Sequence, residues 1–241
     1  MAELLGIGCT HAPMILNPAE QWPNVRKGIS SRIPNYQAPS TLTEELGDDN
    51  GLSHDSSNQQ RIVDAFDVLR EKLDAFKPDL MIIVGDDQAE NFLRDNLPTF
   101  CLYTGSELEG YPFHRPGGKI NLWDAPQDTK YTFRAPEKFA QGMVNFLIRD
   151  GFDMASATEL KAWDWGLPHA HVNPMMFLNQ DGEIPILPLF VNCIGEEFGE
   201  AYPRGLLPSA ATSWGKAFVV IWTLGMRGLS SWPRQAGPTS S

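Results

Sequence analysis

The chain has 241 residues, 42% of them hydrophobic and 20% charged, with a formal net charge of −11. That length suits one large domain or two small ones, and the balance excludes a disordered chain. The acidity excludes a surface built for nucleic acid or anionic lipid, because phosphates are repelled and release no counterions on binding. Three widely spaced cysteines, Cys9, Cys101 and Cys193, fit a reducing compartment better than a disulfide framework. The opening MAELLGIGCTHAPMIL has no basic stretch ahead of its apolar residues and does not read as a signal peptide. The apolar run from Ala217 to Met226 is about half of what a membrane span needs. The expectation is a cytoplasmic protein with no membrane and no nucleic-acid partner.

In chain order, Leu4–Cys9 reads as a first strand that enters a loop at a Gly-x-Gly step. Residues 17–58 are rich in Pro, Ser, Asn and Gly and read as a long excursion holding one short helix, the kind of loop that is usually functional or mobile. Arg61–Phe76 is the clearest helix. Ile62, Phe66, Leu69, Leu73 and Phe76 recur at spacings of four and three and share one face. Pro78 stops it. Leu80–Val84, apolar and without alternation, reads as a strand covered on both sides, broken by Gly85-Asp86-Asp87. A second helix is predicted over Pro136–Arg149 with Phe139, Met143 and Phe146 inward. Two further strands are predicted over Phe152–Ala157 and Ile184–Val191. This succession implies one α/β domain over residues 1–241, with a central mixed sheet, helices on both faces and a site at the strands' carboxyl ends.

The few histidines define where chemistry could sit. His11, in Cys9-Thr-His-Ala-Pro13, follows the first predicted strand; there an imidazole can meet a metal or simply hydrogen-bond a loop. Gly85-Asp-Asp-Gln-Ala-Glu-Asn-Phe92 packs acids and amides just past a buried strand, a costly arrangement unless they bind a ligand, a metal or each other. Paired carboxylates there suit acid–base work or a hard cation, and equally a turn in which Asp86 or Asp87 is an N-cap. His169 and His171, two apart in Gly166-Leu-Pro-His-Ala-His-Val-Asn-Pro174, would point to opposite sides of an extended segment, one functional and one structural; between two predicted strands, the stretch also reads as a loop or helix start at a sheet edge. His54 and His114 lie in loop-like sequence and read as surface residues. Trp163 and Trp165 could wall an aromatic pocket or pack in the body. Gly-x-Ser-x-Gly, P-loop and Cys-x-x-Cys motifs do not occur.

Together these pieces resemble the class III extradiol ring-cleavage dioxygenases. Thr-His-Ala-Pro resembles that family's Ser-His-x-Pro segment. Pro78-Asp-Leu-Met-Ile-Ile-Val-Gly-Asp-Asp-Gln-Ala-Glu-Asn-Phe92 is similar to its strand followed by Asp-His and Phe. Pro98-Thr-Phe-Cys101 looks like its Pro-x-Phe strand start, and the His169 loop aligns with its Asp-His-Gly loop. The likeness runs over most of residues 3–195.

The resemblance implies a two-histidine, one-carboxylate Fe(II) site that opens the ring of a catecholic substrate with O2. It also implies His11 as the first metal ligand and His169 as the acid–base residue. The second-ligand position holds Gln88, so the remaining metal positions fall to Gln88 itself or to His54, with Asp87, Asn91 and His171 lining the substrate side. A non-catalytic homologue, acting as a partner subunit or aromatic binder, is the alternative; so is a divalent-metal hydrolase. A homo-oligomer is compatible with either. The family's carboxylate ligand lies in later chain. All 30 acids precede Ala201, so the tail supplies none; residues 212–241 read as an atypical, disordered or misplaced end, truncated or frame-shifted, or natively divergent. Only Glu196, Glu197 or Glu200 could stand in.

Overall fold

The computed structural model describes residues 3–31, 35–49, 51–93, 95–114, 118–161 and 165–192. Cys193, Glu196, Glu197, Glu200, the run from Ala217 and the tail from 212 onward lie outside them, as does Trp163. Five helices and six strands are formed among the described residues: α1 Trp22–Ser30, α2 Ser40–Leu46, α3 Leu52–Phe76, β1 Met81–Asp86, β2 Phe100–Tyr103, β3 Glu107–Gly110, β4 Tyr131–Arg134, α4 Glu137–Arg149, β5 Ala155–Ala157, α5 His169–Leu178 and β6 Ile186–Val191.

The main sheet runs β1-β6-β2-β5, with β1–β6 and β2–β5 parallel and β6–β2 antiparallel, and so is mixed as expected. Side chains of a strand alternate between faces, and here both faces are covered. Ile186 and Phe190 of β6 join Cys101 and Tyr103 of β2 under α3 and α5. Leu187 and Leu189 join Phe100 and Leu102 under α4, where Ala140, Met143, Val144 and Leu147 are buried. Phe139 and Phe146 flank that patch, half-buried. β3 and β4 form a separate antiparallel pair that the sequence reading did not anticipate.

The helical periodicity of residues 61–76 is realised: Phe66 and Leu73 are buried, Ile62 and Leu69 half-buried against them. The helix ends where Lys77 adopts a left-handed φ of 52° and its N–H closes on the Leu73 carbonyl, immediately before Pro78.

Four expectations need correction. Leu4–Cys9 forms no strand; Leu5 and Ile7 lean on the core while Leu4 is exposed, so apolar contact holds the segment without a ladder. The excursion over 17–58 contains α1, α2 and the start of α3, which begins at Leu52. Both carboxylate oxygens of the buried Asp55 accept from Arg26 at 2.7 Å, and Gln59 bonds Ala19 and Asn17, so tertiary polar contacts join the buried Trp22 in holding these turns. His54 is consequently helical. β1 is an edge strand among the described residues, and Val84 is 61% exposed rather than covered. The segment carrying His169 and His171 is not extended chain; it begins helix α5, the helix start that its place between two predicted strands also allowed.

Candidate metal centre

β1 ends at Asp86, α5 begins at His169, and His11 precedes a 3₁₀ turn over Pro13–Leu16. The sheet and α5 bring these three together. Nε2 of His11 lies 3.5 Å from Oδ1 of Asp86, and the His11 and His169 rings are 5.3 Å apart between centroids. One donor atom from each of the three falls within 4.8 Å of the other two. The approach of α5 depends on Gly85: a Cβ there would stand 2.9 Å from His171 Cε1 and 3.1 Å from the Ala170 methyl.

Around this trio the polar groups are ordered in layers. Glu90, buried beneath α5, accepts from the backbone N–H of His169 at 3.0 Å and sits 3.1 and 3.2 Å from its Nδ1. It thus caps the helix start, where a carboxylate is favoured by the exposed N–H groups. A carboxylate can only accept, so Nδ1 of a neutral His169 carries the proton and Nε2 the lone pair. Gln88 is exposed and donates from Nε2 to Oδ2 of Asp86 at 2.7 Å. Oδ1 of Asp86 is buried and has no hydrogen-bond partner among the described residues. The backbone carbonyl of His11 accepts from Asn173 at 3.0 Å.

Asp87 points the other way. Its carboxylate accepts from the backbone N–H groups of Glu90, Asn91 and Phe92, and so caps the loop. Burial raises its pKa and those hydrogen bonds lower it, burial being the larger effect. The turn is tight enough to hold Ala89 at a left-handed φ of 59°, unusual for a residue with a Cβ. Asn91 is also spent internally, donating to Asp87 and to the Gly166 carbonyl and accepting from the Lys161 N–H. On the far side of Asn91 a cavity of about 350 Å³ is lined by Phe92, Cys101, Ala155 and Ser156, and none of the three clustered residues borders it.

His171 is fully buried, and its Nε2 lies 3.3 Å from the Leu189 carbonyl. The carbonyl accepts, so Nε2 holds the proton and Nδ1, buried without a partner, holds the lone pair. Burial pushes its pKa down to about 4, which keeps the ring neutral. His169 and His171 do diverge, as the sequence implied, but by helical rotation rather than strand alternation. His54 lies exposed on the first turn of α3 beside Asn58, and it is not one of the clustered residues. His114 is exposed, edge-on to Trp165 at 5.7 Å.

The family model described as the catalytic LigB subunit of aromatic ring-opening dioxygenase matches residues 39–223. The chain belongs to that family. It is also similar to 2,3-dihydroxyphenylpropionate/2,3-dihydroxicinnamic acid 1,2-dioxygenases. The Rhodococcus rhodochrous protein is 31% identical over 137 residues, 56% of this chain and 37% of that protein. The Rhodococcus globerulus protein is 26% identical over 135 residues, covering 56% and 37%. The Pseudomonas putida protein is 25% identical over 147 residues, covering 59% and 41%. The matched stretch therefore spans about two-fifths of the length of these ring-opening relatives.

Within this family member, one residue of the trio and one beside it are not distinguished by sequence alone. Asp86 was read only as one of a pair, and Glu90 was not singled out. Past the strand's end at Asp86 the chain turns, and Gln88 reaches back to Asp86 and Glu90 to His169, while Asp87 turns away to cap the loop.

No described helix is long and apolar enough to cross a membrane. Cys9 and Cys101 are free thiols.

Proposed function

We propose that this protein is a metal-dependent dioxygenase that opens a catecholic aromatic ring beside its hydroxyls with O2, and that His11, Asp86 and His169 hold Fe(II). One observation carries the reading: two imidazoles and one carboxylate converge, and the carboxylate turns toward His11 a buried oxygen that accepts no hydrogen bond among the described residues. A buried, unpartnered carboxylate oxygen costs free energy unless a cation meets it. Two atoms bound side by side to one ion at about 2.1 Å stand about 3.0–3.5 Å apart, the separation of His11 and Asp86. Two histidines and one carboxylate are also the donor set that suits non-haem Fe(II) and leaves positions open.

When bound, the iron would supply a shared centre for the two substrate oxygens and for O2. The chain's residues do the rest. Glu90 fixes His169 in the tautomer whose Nε2 can donate a lone pair. Asp86 supplies the one negative charge of the set. Asp87 and Asn91 act on the loop rather than on substrate, and hold residues 86–91 in register with α5. His11 is about 43% exposed while Asp86 is 13% and His169 5%, so the trio is walled on one side and open on the His11 side, where a planar substrate can approach. This assigns His169 to the metal and not to the acid–base role implied by the motif resemblance.

The experiment is anaerobic reconstitution with Fe(II), followed by O2 and 2,3-dihydroxyphenylpropionate or simpler catechols. Iron-dependent formation of a yellow ring-fission product supports the reading. Aromatic binding without turnover at any iron loading would replace it with that of a non-catalytic binder. His169→Gln separates the two roles of that residue: loss of iron supports a ligand, whereas retained iron with lost turnover returns it to acid–base duty.

A further inference from the structure

We propose that Gln88 is a positioning residue that acts through Asp86: its amide holds Oδ2 so that Oδ1 stays turned toward His11 and His169. The proposal rests on the reading of those three residues as a metal site. Asp86 has two oxygens with two different fates. Oδ2 accepts from Nε2 of Gln88 at 2.7 Å, while Oδ1 is buried, accepts no hydrogen bond among the described residues and faces His11 Nε2 at 3.5 Å. A carboxylate on a short side chain at a strand end can rotate about its last bond and exchange its oxygens. A neutral donor fastened to one of them removes that freedom and keeps the full charge, as a cationic partner would not.

The same loop serves the second ligand. Glu90, two residues on, fastens Nδ1 of His169 and the first N–H of α5. Loop 86–90 therefore carries one ligand and the orienting partner of two, on alternate residues, with Asp87 between them capping the turn. Outer partners of this kind contribute to metal affinity without touching the metal. An amide at position 88 is then explained by what Asp86 needs: a glutamate there would set a second carboxylate against the first, and a hydrophobic residue would offer no donor.

The test uses the whole chain and Co(II), whose visible absorption band reports the number and kind of its ligands. Three proteins are compared with wild type: Gln88→Met, Asp86→Asn and His11→Ala. For Gln88→Met, Co(II) binding is expected to weaken by about tenfold with the band's position and intensity unchanged, because no ligand is lost. Asp86→Asn and His11→Ala are expected to weaken binding further and to alter the band. A changed band in Gln88→Met would make Gln88 a ligand and overturn the proposal, and so would unchanged affinity. If Asp86→Asn and His11→Ala leave both readouts untouched, the metal reading itself fails and takes this proposal with it. Gln88 is exposed, so the Met variant is expected to keep the apoprotein's melting temperature, which separates lost orientation from lost fold.

Discussion

The two faces of the main sheet are built on opposite terms. Under α4 lie Phe100, Leu102, Leu187 and Leu189, packed against the buried Met143 and Leu147 of that helix. On the α3 and α5 side the same strands meet His169, His171, Asn173 and Glu90, all buried, and three described side-chain atoms there, on Asp86, His171 and Asn173, lack partners. Apolar burial stabilises about 25 cal/mol per Å² without regard to direction, whereas each buried polar group costs free energy unless met by a partner. The α4 face therefore anchors the fold. The α5 face gives up part of that stability to hold groups at fixed positions near the cleft.

That contrast can be broken from either side. Leu147, fully buried on α4, is expected to cost about 3 kcal/mol when cut to Ala and to leave Co(II) affinity unchanged, as read by chemical denaturation and metal titration. A matched loss of affinity would mean that the faces are not independent. Asp86→Asn is the converse: metal binding is expected to fall about 100-fold, roughly 2.7 kcal/mol, with little loss of apoprotein stability, because the Asn carbonyl can still accept from Gln88.

His171 offers a pH test on the α5 face. Its folded pKa of about 4 lies below its ordinary value of 6.5, so below pH 6.5 the unfolded chain binds the proton and the folded one resists it. The stability it contributes is whole above pH 6.5 and is lost as pH falls toward 4, up to roughly 3 kcal/mol at 1.36 per unit. Stability measured from pH 7 to 4.5 is expected to fall less steeply in His171→Gln than in wild type; parallel curves would show the ring to be reachable by water. The smallest effect is expected at the seam. Gly85→Ala presses a methyl on the His171 ring and should cost about 1–2 kcal/mol, and shift Co(II) affinity with it by moving α5. An unaltered affinity would mean that α5 is not held to the site through this contact.

Much of this molecule was legible without coordinates wherever local chemistry and fold agree. α4 and the later part of α3 follow from apolar spacing, β6 from an apolar run, and the α/β order from their succession. That His11 and His169 meet was legible from motif order. The sequence alone allowed one short helix where α1, α2 and the start of α3 form, because anchors such as Arg26 to Asp55 join residues far apart in the chain. Nor could it separate Asp86 from Asp87 or Gln88, three neighbours of similar chemistry. That choice belongs to tertiary structure: β1 ends with Asp86 facing His11, the next residue must turn inward to cap its own loop, and α5, admitted by a glycine, closes the set. Residue types determine what a group can do, but only the packing of strand, loop and helix decides which of three adjacent polar groups meets the other two.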